Sequence, residues 1–253
     1  ELELIERLGV KFQLNSPVGD GLGLNDLAHQ YDAVFLAIGT WKEAWVYLPG
    51  TELTGVIPAL PFLEGVSRDE KVPVGKRVVV IGSGATAATL IPAIADRCAH
   101  VTMLQRSPTF FITGRNANEL ADTLRQLDIP AAWTHEIVRR KVLFDQAKFT
   151  RRCVAEPEVV RQELLAGVRA ALGPGFEAEV EKHFNPRYRP WQQRIAFVPD
   201  ADLFKCVREG KASVLTDQIE AFTERGIRLQ SDQELDADII ITATGFNLSV
   251  LGD

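Results

Sequence analysis

A chain of 253 residues, 46% hydrophobic and 25% charged with a formal net charge of -6, is long enough to bury one or two cores. The acidic balance argues against a nucleic-acid partner, for which a basic patch is expected; no apolar run approaches the roughly 20 residues that span a bilayer, and no signal peptide opens the chain. Cys98, Cys153 and Cys206 are far apart and outside any CxxC pair, and His29, His100, His135 and His183 are equally scattered. That spacing argues against a disulfide framework, a metal centre or a Cys-His nucleophile, and favours a reducing, cytoplasmic setting.

The first informative run is Tyr31-Asp32-Ala33-Val34-Phe35-Leu36-Ala37-Ile38-Gly39-Thr40, which predicts a strand covered on both faces and closed by a glycine turn. Lys76-Arg77-Val78-Val79-Val80-Ile81 predicts a second buried strand, which breaks into Gly82-Ser83-Gly84-Ala85-Thr86-Ala87 and an alanine-rich helix to about Arg97. In a phosphate-binding strand-turn-helix, Gly82 permits the tight turn and Gly84 lets backbone approach a pyrophosphate. Ala87 takes the place of a third glycine in letting the helix pack closely on the sheet. The helix N-terminus near Ala85 and Thr86 then offers unpaired N–H groups and a positive dipole end. A glycine-rich turn of this form also joins strands to helices without any ligand, but here Val101-Thr102-Met103-Leu104 supplies the next strand of a βαβ unit. Pro92 lies inside the helix and is expected to kink it or to free the Ala88 carbonyl.

The residues after that next strand bear on which dinucleotide is bound. An NAD site carries Asp or Glu about 20 residues past the glycines, whereas an arginine there suits a 2′-phosphate. This chain has Arg106-Ser107: a planar guanidinium for bidentate phosphate contact and a hydroxyl beside it, which favours NADPH. The alternative is an ordinary solvated strand-end arginine.

From about Arg115 to Lys211 the pattern turns helical, with helices predicted near 118–127, 133–149, 157–172 and 175–183, an insert large enough to form a lobe over the site. Its basic clusters, Arg139-Arg140-Lys141 and Lys148 to Arg152, read as solvated helix faces or as a phosphate clamp. Arg187, Tyr188, Arg189, Trp191 and Arg194 form the densest aromatic-cationic group. Beyond it the pattern predicts a short helix at 202–209, a strand at 212–216, a hairpin of 219–223 with 226–229, and a final strand at 237–244 that ends Ala243-Thr244-Gly245.

The two Ala-X-Gly strand ends, at Gly39 and Gly245, resemble those of two-dinucleotide-binding-domain flavoproteins, where the chain leaves and re-enters an FAD domain interrupted by an NAD(P)H domain. From Gly75 to Asp253 the chain is similar to flavin-containing monooxygenases, especially the Baeyer-Villiger-like group. The similarity is carried by Gly82-Ser83-Gly84-Ala85-Thr86-Ala87, Leu104-Gln105-Arg106-Ser107-Pro108, Asn185-Pro186-Arg187-Tyr188-Arg189-Pro190-Trp191, Val198-Pro199-Asp200-Ala201-Asp202-Leu203-Phe204 and Ala243-Thr244-Gly245. Residues 1–75 resemble instead the small subunit of glutamate synthase and its NADPH:acceptor relatives, on Glu6-Arg7-Leu8-Gly9-Val10-Lys11-Phe12, Tyr31 to Gly39 and Leu48-Pro49-Gly50-Thr51-Glu52-Leu53-Thr54-Gly55-Val56. The two meet immediately before the fingerprint, the pattern of a fragment or of a recombined, engineered or misassembled chimera.

These resemblances imply an α/β fold: a Rossmann-type three-layer NADPH domain over 76–245 with a helical insertion at about 115–211. A partial FAD-type domain and linker would precede it over 1–75, and 246–253 would begin the return into that domain. They imply NADPH and, in a complete relative, FAD, with hydride passing from NADPH to flavin and oxygen then to a small ketone or heteroatom substrate; the cofactors carry that chemistry. Arg194 matches the mobile arginine that holds the nicotinamide and stabilises a peroxyflavin, a use of positive charge that electrostatics supports; its alternative is a structural pair with Trp191 or Asp202. The chain departs from the pattern in two places. Nothing before residue 76 has the FAD fingerprint, and Phe62-Leu63-Glu64-Gly65-Val66 is followed by no His or Trp up to Gly75, where the monooxygenase fingerprint carries both. The open alternatives are an NADPH:acceptor electron-transfer flavoprotein and a nucleotide-binding module without turnover.

Overall fold

The computed structural model describes residues 2–19, 21–39 and 43–246, and its contacts divide the chain into two units, Glu1–Thr40 and Trp41–Asp253. The first contains two short helices, α1 (Leu2–Arg7) and α2 (Leu24–Gln30); the Asp26 carboxylate accepts from the Gly23 N–H at 2.8 Å and so starts α2. The strand expected over Tyr31–Thr40 does not form. Residues 33–39 take no regular structure, Phe35 is 91% and Ile38 75% exposed, and Thr40 lies outside the described residues. An apolar run becomes a strand when neighbours complete its ladder and cover its faces, and the described residues of this unit include no strand to do so.

The second unit is an α/β domain of Rossmann type. Its elements run β1 (Val56–Pro58), α3 (Ala59–Ser67), β2 (Arg77–Ile81), α4 (Ala85–Ala95), β3 (His100–Gln105), β4 (Phe111–Gly114), α5 (Glu119–Gln126), α6 (Ala131–Ala155), α7 (Pro157–Leu172) and α8 (Glu177–His183). There follow β5 (Ala196–Pro199), α9 (Asp202–Arg208), β6 (Ala212–Thr216), β7 (Ile219–Thr223), β8 (Gly226–Leu229), β9 (Glu234–Asp236) and β10 (Ile239–Thr242). Five parallel strands form the central sheet in the order β1-β10-β2-β3-β6; β4 and β5 make a separate parallel pair, and β7-β8-β9 an antiparallel sheet. Because β1 and α3 belong to this domain, the division expected at residue 75 does not coincide with the division into compact units. The expected return segment lies, from residue 247 on, outside the described residues.

Alternation along β2 explains the three layers. Val78 and Val80 face a core built with Ala87 and Ile91 of α4, while Val79 and Ile81 face a second core with Phe222, Ile227 and Leu229 of the antiparallel sheet. A central strand buried on both faces therefore needs the unbroken β-branched run seen in the sequence.

The helical insertion is not a separate lobe. Leu165, Val168 and Leu172 of α7, Val180 of α8 and Leu203 and Phe204 of α9 lie in the same core as Val78 and Ile91, because each presents its apolar stripe to the sheet layer. Helices α5 and α6 stand largely outside that layer, with Ala121 of α5 and Thr134 and Cys153 of α6 their buried residues. The basic residues of α6 face solvent: Arg139 and Arg140 pair with Glu136, and Lys141 with Asp145. Pro92 is accommodated within α4, which continues past it to Ala95. Among the described residues no helix is long and apolar enough to cross a membrane.

A buried polar knot ties α8 to the sheet. Gln105 Nε2 donates to the His183 carbonyl at 2.7 Å and to Thr216 Oγ1 at 2.9 Å, and His183 Nδ1 lies 2.7 Å from the same hydroxyl. Burial, with nearby Lys182, holds the His183 pKa below its ordinary value, against a smaller opposing pull from Glu179. The folded state thus keeps His183 neutral where the unfolded chain takes up a proton, near pH 6.5. Below that pH the unfolded state binds more protons, so its contribution to stability falls as pH falls, by at most about 1.4 kcal/mol per pH unit. Urea unfolding at pH 7.5 and 5.5 should show a larger acid-side loss for wild type than for His183→Gln; equal losses would contradict a buried neutral imidazole.

Candidate dinucleotide site

The carboxyl ends of β10, β2 and β3 lie side by side in the parallel sheet, at the edge where open α/β sheets bind ligands. Gly82 leaves β2 with φ +122°, its N–H donating to the Leu104 carbonyl at 2.8 Å. A Cβ there would lie 2.3 Å from the Ala243 carbonyl oxygen, so only glycine lets the ends of β2 and β10 approach this closely. Gly84 differs: its φ of -78° is ordinary and a Cβ would meet nothing within 4 Å, so the space before it is open. Gly84 is the N-cap of α4, no side chain caps that helix, and Gly84 and Ala85 are exposed with Thr86 half-buried. The first-turn amides are therefore left for an acceptor outside the helix. Ala87 is fully buried against the sheet, where a larger side chain would push α4 away.

The turn's flanks are held by specific contacts. Ser83 Oγ and Thr109 Oγ1 are 2.7 Å apart. Thr244 Oγ1 donates to the Ala44 carbonyl at 2.6 Å and Ala44 N–H to the Gly245 carbonyl at 2.9 Å, while the Glu43 carboxylate accepts from Leu60 N–H at the start of α3. Ala243, Thr244 and Gly245 thus line the same end of the sheet as the glycine turn. Arg106 and Ser107 follow β3 on its other side and are exposed, with no hydrogen bond or ion pair for Arg106 among the described residues.

Arg194 is exposed and pairs with neither Trp191 nor Asp202; Trp191 packs instead edge-on against Phe149, with ring centroids 6.3 Å apart. Tyr188, from the same aromatic-cationic segment, does reach toward the turn. It packs edge-on against Phe110 at 5.4 Å, beside the Thr109 hydroxyl that bonds Ser83. Burial pushes the Tyr188 phenol up, partly offset by the Phe110 backbone and the Thr109 hydroxyl, yet no group meets hydrogen-bond geometry with its buried oxygen. Thr109 and Glu43 were not marked by the sequence pattern, because a lone threonine in a loop and a lone glutamate carry no spacing signal.

A cavity of about 710 Å³ elsewhere in the domain shares no residue with this site. It lies between α5 and α6 and is lined by Arg125, Ile129, His135, Val138 and Val142 among others. The glycine turn is the better candidate because its geometry has a chemical purpose, whereas the cations of the α5–α6 groove are already engaged: Arg125 pairs with Asp122 and Arg139 with Glu136. Burial raises the pKa of Cys98, Cys153 and Cys206, so none is an activated thiolate. No cluster of metal-ligating side chains occurs among the described residues.

The parallel sheet and the glycine turn that opens α4 together define an α/β domain of Rossmann type. Residues 9–151 match the pyridine nucleotide-disulphide oxidoreductase family, and the chain belongs to it. The match runs without interruption across residue 75, where the two sequence resemblances meet. Among curated proteins the chain is 48% identical over 178 residues to the FAD-containing monooxygenase EthA of Mycobacterium tuberculosis, covering 70% of this chain and 36% of EthA. It is 45% identical over 180 residues to the probable FAD-binding monooxygenase AlmA of Acinetobacter baylyi, covering 71% and 35%. The chain therefore spans about a third of these relatives' length. Among solved structures, cyclohexanone-bound cyclohexanone monooxygenase shares the fold at a TM-score of 0.55 and 16% identity, over 83% of this chain and 47% of that one.

The contrast between the two glycines is directly measurable. Gly82→Ala should destabilise the protein by about 2–4 kcal/mol through backbone overlap and positive-φ strain, while Gly84→Ala should cost under about 1 kcal/mol as a weakened cap. Equal shifts in the chemical-denaturation midpoint would contradict the geometry assigned to the turn.

Proposed function

We propose that this chain is the NADPH-binding portion of a flavin-dependent monooxygenase. The observation that carries the reading is the pairing of an open, uncapped glycine turn at the start of α4 with the unpaired Arg106 at the end of β3. Backbone amides from Gly84 to Thr86 and the dipole of α4 would hold the pyrophosphate. Arg106 and Ser107 would hold the 2′-phosphate, Arg106 being free to offer both guanidinium donors. Ala243, Thr244 and Gly245 would border the nicotinamide side, and Arg194 is the cation we assign to it. NADPH, when bound, supplies a hydride; the protein's part is to orient the dinucleotide.

The same test of fit fails for FAD. Among the described residues before Trp41 there is no strand, so the glycines ahead of α2, whose N-cap is Gly23, do not form the strand-turn-helix that would seat a second dinucleotide. Flavin reduction, oxygen transfer and the small organic substrate accordingly belong to a complete relative, as the flavin-dependent names of EthA and AlmA suggest. The exposed first unit favours a second reading, in which this chain alone binds nucleotide without turnover. The glutamate-synthase-like electron-transfer reading has only the sequence resemblance of residues 1–75 behind it.

Equilibrium titration with NADPH and NADH separates these ideas from a ligand-free turn. Wild type should bind NADPH more tightly, and Arg106→Ala should weaken NADPH by about 10- to 100-fold, the range of a lost charged hydrogen bond, while leaving NADH within about twofold. Equal wild-type affinity for the two nucleotides would overturn the assignment of Arg106.

A further inference from the structure

We propose, resting on the NADPH reading of the glycine turn, that Arg194 is the side-chain cation of the pyrophosphate, brought to that turn by the pairing of β5 with β4. The guanidinium assigned to the nicotinamide half thereby holds the phosphate of that half and not its ring.

Register places it there. Strands β4 and β5 are parallel with Phe111 opposite Ala196, and the Ala196 N–H donates to the Phe110 carbonyl at 2.9 Å. Side chains alternate along such a pair, and partners in register face the same side. The burial pattern follows this rule. Phe111 and Ala196 lie in the main core with Ala87 and Ala88 of α4, whereas Phe110 and Ile195, one residue back on each strand, lie in a small core with Val160 and Leu164 of α7. One residue further back stand Thr109 and Arg194. A period of two returns both to the α4 side, and Thr109 is found there: its Oγ1 is 2.7 Å from the Oγ of Ser83, the middle residue of the glycine turn. Arg194, its partner in register, stands on the same face one inter-strand spacing away, about 4.8 Å. A long arginine stem carries the charge from there to the open space before Gly84.

Charge and exposure suit this role. Arg194 is exposed and makes no hydrogen bond or ion pair among the described residues. Asp200 and Asp202 follow it in sequence, but β5 runs between, and Asp200 is held at the far end of the pair, where its Oδ1 accepts from the Asn116 N–H at 3.1 Å. The start of α4 offers amides and a dipole worth about half an elementary charge, while both phosphates of a pyrophosphate are ionised. With Arg106 given to the 2′-phosphate, Arg194 is the cation that completes the neutralisation, through paired N–H donors that match phosphate oxygens. The direction in which the chain enters β5 is also fixed. Trp191 takes a left-handed φ of +64°, held by its edge-on contact with Phe149 and by the Gln192 N–H to the Arg189 carbonyl at 3.0 Å. A bulky residue keeps such a conformation only where its surroundings impose it.

The test compares four ligands by equilibrium binding to the full chain. NADPH and NADP⁺ carry every group; ADP-ribose 2′-phosphate keeps the pyrophosphate and lacks the nicotinamide; adenosine 2′-monophosphate lacks both. Arg194→Gln should weaken the first three by about tenfold each, the size of a lost charged hydrogen bond, and leave the 2′-monophosphate within about twofold. Arg194→Lys, which keeps the charge and loses the fork, should fall between wild type and Arg194→Gln. Weakened NADPH with unchanged ADP-ribose 2′-phosphate would move Arg194 to the nicotinamide ring and overturn the inference. Unchanged affinity for all four ligands, a lysine variant no better than the glutamine one, or parallel loss of the 2′-monophosphate would overturn it as well, each leaving the NADPH reading intact. Absence of saturable NADPH binding by wild type would overturn that reading, and the role of Arg194 with it.

Discussion

The close backbone approach of Gly82 to Ala243 is the constraint on which the rest of the site depends. Parallel pairing of β10 with β2, continued by the Ala243 N–H to the Ile81 carbonyl at 2.7 Å, carries the two strand ends to the same level. At that level there is no room for a Cβ, so the chain can leave β2 only through glycine. Leaving in that direction sets where α4 begins, and α4's first turn then faces the open space before Gly84. Ala87 allows the helix to lie close on the sheet, and the Ser83–Thr109 contact fixes the outer wall of the turn. The open, uncapped start of α4 is thus a consequence of sheet register and sterics, and the site we propose adds Arg106 at the next strand end for selectivity.

The two covering layers of the central sheet differ in kind. Helices from α3, α4 and the insertion cover one face, and the antiparallel β7-β8-β9 sheet covers the other, so the core of this domain is complete on its own terms. The first unit is different: Leu8, Leu14, Phe35, Leu36 and Ile38 are all exposed. Free energy from apolar burial, about 25 cal/mol per Å², is not collected there. The physical contrast between the two units parallels the limited share of the monooxygenase relatives that the chain spans.

Much of the second unit is legible in the sequence because its signals are local. The β-branched run of β2, the glycines after it, the 157–172 helix with proline at its first turn, and the hairpin of 219–223 with 226–229 each declare themselves by period or punctuation. The strand expected over Tyr31 to Thr40 shows the limit of that method: its apolar pattern states what the segment would bury, not whether anything is present to bury it. The β4–β5 pair was invisible for the converse reason, since Phe111–Gly114 and Ala196–Pro199 are short and their pairing spans more than eighty intervening residues. In the site, glycines and Arg106 are readable because their spacing encodes backbone geometry, whereas Thr109 and Glu43 act only through contacts made by the folded chain.

The central claim is that a dinucleotide binds at the start of α4, not in the roomier groove between α5 and α6. Backbone amide chemical-shift mapping during an NADP⁺ titration addresses it most directly. The account predicts the largest perturbations at Gly82 to Thr86 and at Arg106 and Ser107, with Arg125, His135 and Val138 unmoved. Perturbations confined to the α5–α6 groove, with the glycine turn silent, would contradict it.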